Sequence, residues 1–193
     1  DTALGSTEHL LSTLLSIAKM DQGALKPQFR HVQLSSLLEP LVEEYAVLAE
    51  QRKLDFRAFY KDRPVYTDPT YLRRIVQNFL SNAIKYTQRG SVLLGVRKRG
   101  DELQIAVWDT GPGIPEDQLT HIFEEFRRFQ QGRDKKGLGL GLAIVDRICG
   151  MLNHPVNVQS VQGLGSVFSI TVPVAPAEQS DQSTTKSAPA SRR

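Results

Sequence analysis

Cysteine and long apolar runs are nearly absent from this sequence. Cys149 is the only cysteine among 193 residues, so a disulfide framework is excluded. Its apolar, helix-forming neighbours predict a buried thiol in a reducing compartment. No stretch approaches the roughly 18 apolar residues that a membrane helix needs, and no signal peptide is visible. We therefore expect a cytoplasmic domain with no membrane segment within these residues.

A large excess of charge of either sign is also missing. Lys and Arg number 24 against 21 Asp and Glu, which gives a formal net charge of +3. That charge is too small to indicate nucleic-acid binding. The composition, 40% hydrophobic and 23% charged, is typical of one globular domain with additional residues. The chain starts at Asp1, without methionine and within a helix-like pattern, and we expect it to be part of a longer protein.

Two glycine clusters bracket a polar, charged segment in the second half of the chain. The first cluster reads Asp109-Thr110-Gly111-Pro112-Gly113, and the second reads Gly137-Leu138-Gly139-Leu140-Gly141. The second runs directly into an apolar, helix-forming segment. Glycine lets the backbone approach a ligand, and a helix N-terminus offers unpaired N–H groups and a positive dipole end. The pattern predicts a phosphate site, although glycine clusters also mark ordinary turns.

A helix with two distinct faces is predicted upstream. Asp68 followed by Pro69 is typical of a helix start, with an N-cap acceptor before proline at the first helical position. Asn78, Asn82 and Lys85 share one polar face at helical spacing. Amide oxygens suit Mg²⁺, and an ammonium suits phosphate. Considered alone, this face is more typical of the solvated surface of an amphipathic helix. The apolar face consists of Leu72, Ile75, Val76, Phe79, Leu80 and Ala83.

The order of the motifs resembles the ATP-binding catalytic domain of sensor histidine kinases. The motifs are Asn-x-x-x-Asn-Ala-x-Lys-Tyr from Asn78, Asp-x-Gly-x-Gly from Asp109, Phe-x-x-Phe from Phe123 and Gly-x-Gly-x-Gly-Leu from Gly137. The wider group includes gyrase, the ninety-kilodalton heat-shock chaperone and the mismatch-repair ATPases. The resemblance covers about Gly23 to Pro173. It implies ATP and Mg²⁺ as ligands and transfer of the γ-phosphoryl group to a histidine.

The resemblance assigns one group of residues to the adenine base. Asp109 follows a predicted strand and is expected to accept a hydrogen bond from the adenine amine, whereas an ordinary turn aspartate is the alternative. Gly111 and Gly113 would let the backbone pass close to the base. Ile114 and Tyr86 would supply apolar and stacking surface. Ser166 stands where the family often has a threonine near the adenine, and it keeps the hydroxyl.

A second group is assigned to the phosphates and the metal ion. Asn82 is the expected Mg²⁺ ligand, and Lys85 would pair with phosphate as a point charge. Asn78 occupies the position of a glutamate that activates water in hydrolysing relatives. Because asparagine cannot take a proton, we expect phosphoryl transfer rather than rapid hydrolysis. Backbone N–H groups are expected to make most phosphate contacts, and they belong to Gly137, Leu138, Gly139, Leu140, Gly141 and Leu142.

One residue in this loop departs from the family pattern. The family commonly has a hydroxyl residue after the first glycine of the last motif, whereas this chain has Leu138. The loss of that side-chain hydrogen bond bears on the affinity for ATP and not on the existence of the site.

A movable lid is predicted from about Glu116 to Lys136. The segment is polar, charged and bounded by glycines, which favours mobility without nucleotide. The resemblance makes Phe123 and Phe126 the hinge-side anchors of this lid, although they could simply be core residues. The resemblance favours Arg127 or Arg128 as catalytic contacts to the triphosphate, whereas a solvated loop is the alternative for these charges.

The predicted domains are 1–22, 23–174 and 175–193. Apolar residues at heptad spacing in 1–22 predict a helix, and the resemblance favours the second helix of a dimerisation hairpin over a helix that folds back on its own domain. The first hairpin helix, which carries the phosphoacceptor, is expected to be absent. His9 lacks the acidic neighbour of that acceptor. Residues 175–193 are predicted to be a disordered linker, in a hybrid kinase towards a receiver domain.

The fold class predicted for 23–174 is a two-layer α/β sandwich. It would have a mixed, mostly antiparallel sheet with helices packed on one face. We expect Ser35 or Ser36 to cap the first helix of this domain, with Ser36-x-x-Glu39 as a capping box. The other predicted elements are a strand at 32–34, a helix to Gln51, a strand at 54–58, the Asn78 helix to near Gly90, strands at 92–98 and 103–108, a helix at 140–152, and strands at 156–161 and 167–172.

Expected partners follow from the same resemblance. They are ATP, the histidine-bearing helix of the same kinase, a response-regulator receiver domain and a second copy in a homodimer, and nucleic acid is not among them. A degenerate regulatory module that binds partner kinases without catalysis is the alternative function. The intact Asn82, Lys85 and Asp109 argue against it, and Leu138 argues weakly for it. A hydrolytic ATPase of the same superfamily is disfavoured by Asn78.

Overall fold

The computed structural model describes residues 22, 25–124 and 139–175. The predicted helix at 1–22, apart from its last residue, and nearly all of the linker at 175–193 lie outside these residues. In chain order the elements are β1 (Arg30–Gln33), α1 (Leu34–Gln51), β2 (Asp55–Phe59), β3 (Pro64–Thr67), α2 (Pro69–Tyr86), β4 (Ser91–Arg99), β5 (Glu102–Asp109), α3 (Glu116–Leu119), α4 (Gly141–Leu152), β6 (Val156–Val161) and β7 (Gly165–Pro173).

A five-stranded sheet forms one layer, with the strand order β2-β4-β5-β7-β6. β2 and β4 run parallel, and the other three pairs are antiparallel. The β4–β5 and β6–β7 pairs are hairpins, with turns at Gly100 and Gly163. The predicted mixed, mostly antiparallel sheet is therefore confirmed.

Helices form the second layer. α2 lies against β4, β5, α1 and α4, so it is the central helix of the domain. Phe79 of α2 packs on Phe168 of β7, with 5.6 Å between the ring centroids. The two-layer α/β sandwich is confirmed. The core side chains that are fully buried include Leu34, Leu38, Leu41, Leu72, Ile75, Leu80, Leu94, Ile105, Ile148 and Ile170.

The start of α2 is fixed by its cap, as the sequence predicts. The carboxylate of Asp68 accepts hydrogen bonds from the backbone N–H of Thr70 at 2.9 Å and of Tyr71 at 3.2 Å. Its second oxygen accepts from the backbone N–H of Gln28 at 2.7 Å. The cap therefore also ties the incoming chain to α2. The helix ends at Tyr86, four residues before Gly90, where the sequence placed its end.

A second, two-stranded sheet was not predicted. β1 pairs antiparallel with β3, and Phe29 stacks on Tyr66 beside it, with 5.6 Å between the ring centroids. β3 has only four residues, and its partner lies more than thirty positions away in the sequence. Leu34, predicted as the end of a strand, is the first residue of α1 and is fully buried.

The predicted capping box at the start of α1 is wrong. Gln33 is the N-cap and makes no side-chain capping bond. Ser36 lies within the first turn, where its hydroxyl donates to the carbonyl of Gln33 at 2.7 Å. The backbone N–H of Ser35 donates instead to the carboxylate of Asp62 at 2.8 Å. A residue distant in sequence therefore accepts a hydrogen bond from a backbone N–H of the first turn of α1. Local sequence motifs cannot reveal such a partner.

The thiol of Cys149 is buried in α4, as predicted. Burial, followed by the nearby charge of Asp146, raises the pKa of this thiol to about 12. The side chain is thus a small apolar core group at neutral pH. Within the described ranges, none of the helices has both the length and the apolar character needed to cross a membrane.

Candidate functional site

Asp109 lies at the end of β5 and is half-buried. Its Oδ1 accepts a hydrogen bond from the backbone N–H of Gly111 at 2.8 Å. Burial raises the pKa of the carboxyl, and hydrogen bonds from the backbone N–H groups of Gly111 and Ser166 oppose that rise. The carboxylate is therefore held in one orientation by the backbone, in surroundings with little competing solvent.

Steric contacts within the protein explain why the residues at 111 and 113 are glycines. A Cβ at Gly111 would lie 2.7 Å from Oδ1 of Asp109. Gly113 has a φ of +65°, and a Cβ there would collide with the carbonyl oxygen of Val161 at the β6–β7 turn. The structure thus requires both glycines for packing within the protein. Their close approach to a bound base stays a prediction.

Ser160 joins the loop after Asp109 to the β6–β7 hairpin, and sequence reasoning missed it. Its hydroxyl accepts from the backbone N–H of Ile114 at 2.7 Å and donates to the carbonyl of Gly165 at 3.0 Å. It also lies 2.9 Å from the hydroxyl of Ser166. Ser166 is opposite Asp109 in the strand register. The available signal was a serine at an inward position of β6, whose other two inward positions are Val156 and Val158.

The polar face of α2 meets the first residue of α4. The amide nitrogen of Asn82 donates to Oδ1 of Asn78 at 3.0 Å. A Cβ at Gly141 would collide with Nδ2 of Asn78. Gly141 therefore lets the Asn78 amide lie against the backbone at the start of α4. The structure brings the two sequence features, asparagine face and glycine-rich helix start, into one place.

The N-terminus of α4 has the features of an anion site. Gly139 has a φ of +70° and turns the chain into the helix. Leu140 is the N-cap, is buried, and makes no side-chain capping bond. The first backbone N–H groups of the helix are thus without a side-chain cap among the described residues, and such groups with the helix dipole attract phosphate. Leu142 is half-buried and packs against the core.

Lys85 and Tyr86 are the last two residues of α2, and the carbonyl oxygen of Tyr86 would lie 3.5 Å from a Cβ at Gly111. The Lys85 ammonium lies 5.0 Å from the centroid of the Tyr86 ring, within the range of a cation–π contact. Tyr86 is 39% exposed, and its predicted role as a stacking surface for the base stays a prediction. The predicted pairing of Lys85 with phosphate stays a prediction.

Several predicted site residues lie outside the described residues: Arg127, Arg128, Gly137 and Leu138. The same holds for Phe126 and for most of the proposed lid. Phe123 is described and packs against the core, next to the buried Ile122. This packing fits both a core residue and a hinge-side anchor, so the anchor role stays a prediction.

The donor set at the site suits Mg²⁺ only together with a ligand. No group of three or more His, Cys, Asp or Glu side chains in the described part of the chain could hold a metal ion. The amide nitrogen of Asn82 is already used in the bond to Asn78, so its Oδ1 is the atom that can ligate a hard cation. Mg²⁺ commonly takes one protein ligand plus phosphate oxygens and water, and this arrangement fits that pattern.

Comparison with known proteins assigns this chain to a protein family. The model of the histidine kinase-, DNA gyrase B- and HSP90-like ATPases matches residues 67–176. The matched range contains α2, the main sheet from β4 onwards and α4. It thus includes every site residue named above.

Relatives with the same domain are sensor kinases. Sensor histidine kinase RcsC of Escherichia coli (strain K12) is 34% identical over 182 residues, which cover 90% of this chain and 19% of RcsC. Adaptive-response sensory kinase SasA of Synechococcus sp. (strain JA-3-3Ab) is 34% identical over 175 residues, which cover 89% of this chain and 46% of SasA. The chain thus spans less than half the length of each of these two relatives.

A solved structure shows the same fold at similar identity. The crystal structure of full-length ShkA in complex with AMPPNP has a TM-score of 0.78 at 31% identity. The match covers 91% of this chain and 39% of that chain.

Proposed function

Because this chain belongs to the family of histidine kinase-, DNA gyrase B- and HSP90-like ATPases, we propose that its ATP-binding catalytic domain transfers the γ-phosphoryl group of ATP to a histidine side chain. The acceptor histidine would belong to a helix outside the described residues. The full protein would be a sensor histidine kinase, and the similarity to RcsC and SasA supports this.

The contact between Asn78 and the start of α4 is the observation that carries the proposal. The side chain of Asn78 lies against the first residue of α4, and the N-terminus of this helix is where the phosphates would bind. A carboxylate in that place could take a proton from water and start hydrolysis. An amide cannot, and the Asn78 amide is already engaged by Asn82. The site therefore favours transfer to an activated acceptor over rapid hydrolysis.

The adenine base, the phosphates and the metal ion would each have a group of the site to bind them. Asp109 would accept from the adenine amine, and the backbone N–H groups at the start of α4 would hold the phosphates. Oδ1 of Asn82 would ligate Mg²⁺, which neutralises phosphate charge when it is bound. The contribution of the chain to catalysis is then positioning, which is most of what phosphoryl transfer requires.

The acceptor and the other partners belong to the same proposal. His154 is buried, and burial lowers the pKa of its imidazole. His31 lies in β1, away from the main sheet. Neither follows the acceptor pattern of the family. We expect a homodimeric kinase that phosphorylates a histidine on a helical hairpin and passes the group to a receiver domain. The need for ATP and the reduced, buried Cys149 favour the cytoplasm.

Nucleotide titration with and without Mg²⁺ tests the proposal. Calorimetry is expected to show saturable binding of ATP that tightens when Mg²⁺ is present. Replacement of Asn82 by alanine should remove the effect of Mg²⁺ and leave the Mg²⁺-free affinity near that of the parent. No saturable binding under either condition would exclude catalysis and favour a regulatory module that binds partner kinases.

A further inference from the structure

A cavity of about 440 Å³ lies at the end of the main sheet that is opposite to Asp109. Its walls are the end of β2, the loop that follows it and the end of the β4–β5 hairpin. Val92 of β4 is opposite Asp109, and Lys98 of β4 is opposite Leu103, so the cavity lies roughly 20 Å from Asp109 along an extended strand. Its volume is in the range of small-molecule sites in proteins, and its position is remote from the candidate nucleotide site.

The floor of this cavity is apolar. Ala58, Val96 and Leu103 lie at inward positions of three adjacent strands. Leu103 is fully buried, whereas Ala58 and Val96 are half-buried and pack against the core. Phe59 and Tyr60 also line the cavity, and Phe59 is 63% exposed. All of these residues belong to strands or to the loop after β2, so the described helices leave this corner of the sheet uncovered.

Three cationic side chains border the apolar floor: Lys61, Arg63 and Lys98. Within the described residues, none of the three forms an ion pair or a side-chain hydrogen bond, and the described residues that line the cavity include no carboxylate. Arg63 is half-buried, and a guanidinium can hold a carboxylate or phosphate through two parallel hydrogen bonds. Cations around an apolar floor suit a ligand that joins an anionic group to an apolar body.

The loop after β2 is held in place by the start of α1. The backbone N–H of Leu34 donates to the carbonyl of Arg63 at 3.0 Å. The backbone N–H of Ser35 donates to the carboxylate of Asp62 at 2.8 Å, so this acidic neighbour of the cations is engaged by the helix. A cavity whose wall is already fixed loses little free energy to ordering when a ligand binds.

Tyr60 sets the orientation of such a ligand. Burial raises the pKa of its phenol, and the nearby charges of Glu39, Asp62 and Glu43 raise it further. The phenol is therefore neutral at pH 7, and acidic side chains lie close to it. An anionic group would be repelled from that side of the cavity, which leaves the ring of Tyr60 to contact the apolar body of the ligand.

We propose that this cavity is a second ligand site, which binds a small organic anion with an apolar or aromatic body. The anionic group pairs with Arg63 and Lys98, and Lys61 adds a further positive charge. The apolar body lies on Ala58 and Val96, beside the ring of the tyrosine. The site shares no residue with those assigned to ATP, so it goes beyond the proposed function and does not depend on it.

Calorimetric titration of the full 193-residue chain with 2-naphthoate tests the proposal, because this probe joins one carboxylate to an aromatic body. We expect saturable binding at a single site with a Kd of about 1 mM or tighter, the ordinary efficiency for a ligand of this size. Saturating ATP should not change that affinity. The uncharged 2-naphthylmethanol and inorganic phosphate, which lacks an apolar body, should each bind at least about tenfold more weakly. Displacement of the probe by ATP, no saturation up to ~10 mM, or equal affinity for either comparison compound would overturn the proposal.

Variants that remove one charge locate the bound probe. Arg63→Gln should weaken 2-naphthoate binding about tenfold, the scale of a hydrogen bond to a charged group. Lys98 is exposed, and Lys98→Gln should weaken binding about two- to fivefold, the scale of an exposed ion pair. Arg97→Gln is the matched control, because Arg97 is adjacent in β4 and its side chain points to the opposite face of the sheet. Both β4 substitutions change exposed side chains, so both variants should stay folded. Unchanged binding by Arg63→Gln, or equal losses in Lys98→Gln and Arg97→Gln, would show that the probe does not occupy this cavity.

Discussion

Replacement of Asp109 by asparagine is expected to weaken ATP binding by roughly 1.5–3 kcal/mol, the scale of a charge-assisted hydrogen bond. That loss corresponds to about a ten- to 150-fold higher Kd. Asparagine keeps the shape of the side chain but offers an NH₂ group in place of one oxygen, and it carries no charge. Calorimetric titration with ATP measures the change directly.

The Asp109 variant should remain folded, and the reason lies in the pKa of this carboxyl. Burial raises that pKa above its ordinary value, so the folded state prefers the protonated form. The stabilisation from protonation is present at low pH and is lost as the pH rises through the raised pKa. At pH 7 the buried, charged carboxylate destabilises the folded parent protein. Asparagine carries no charge, so the variant is free of that destabilisation. Urea unfolding at pH 7 should therefore show a variant at least as stable as the parent.

Two controls accompany the Asp109 experiment. Asp101 is exposed in the turn at the opposite end of β5, and Asp101→Asn should leave ATP binding unchanged. ATP affinity of the parent should fall as the pH is lowered through the raised pKa of Asp109, whereas the Asp109→Asn variant should lack that dependence. A folded Asp109→Asn variant with the affinity of the parent would disprove the assignment of this residue to the base.

A second large effect is expected from Gly141→Ala. The added methyl group would collide with Nδ2 of Asn78 and displace the amide that accepts from Asn82. Because the obstacle is the end of a flexible side chain, the fold should survive while the phosphate and Mg²⁺ site is rearranged. We expect the affinity for ATP with Mg²⁺ to fall at least about tenfold, or roughly 1.4 kcal/mol.

Gly150→Ala is the matched control in the same helix. Nothing lies within 4 Å of a Cβ at Gly150. Alanine there should stabilise α4 by roughly 0.5–1 kcal/mol through helix propensity and leave ATP binding as it was. Were Gly141→Ala to bind ATP and Mg²⁺ like Gly150→Ala, the contact between α2 and α4 would have no part in the site.

Features confined to one segment could be predicted from the sequence. Asp68 and Pro69 are adjacent, and their pairing fixes the start of α2 as expected. The β4–β5 hairpin follows from two alternating segments around Gly100. In each case the deciding interaction joins residues close in sequence, so the pattern that reveals it is short.

Contacts between residues far apart in the sequence could not be predicted from the sequence. The carboxylate of Asp62, which follows α1 in the chain, accepts a hydrogen bond from a backbone N–H in the first turn of that helix. The capping box predicted from the local sequence was therefore wrong. Ser160 holds the loop at Ile114 from 46 residues away. Such contacts depend on the packing of the sheet, which no single segment encodes.

Transfer of label from γ-labelled ATP tests the central claim most directly. The chain is incubated with labelled ATP, alone or together with a helical hairpin bearing the phosphoacceptor histidine of the family, and the product is then treated with acid. We expect no label on the chain alone. The hairpin should acquire an acid-labile label that is lost when Asn82→Ala replaces the parent. Stoichiometric acid-labile label on the chain alone would place the acceptor within it, with His9 the first residue to mutate. An unlabelled hairpin in the presence of bound ATP would contradict the claim that this domain is a histidine kinase.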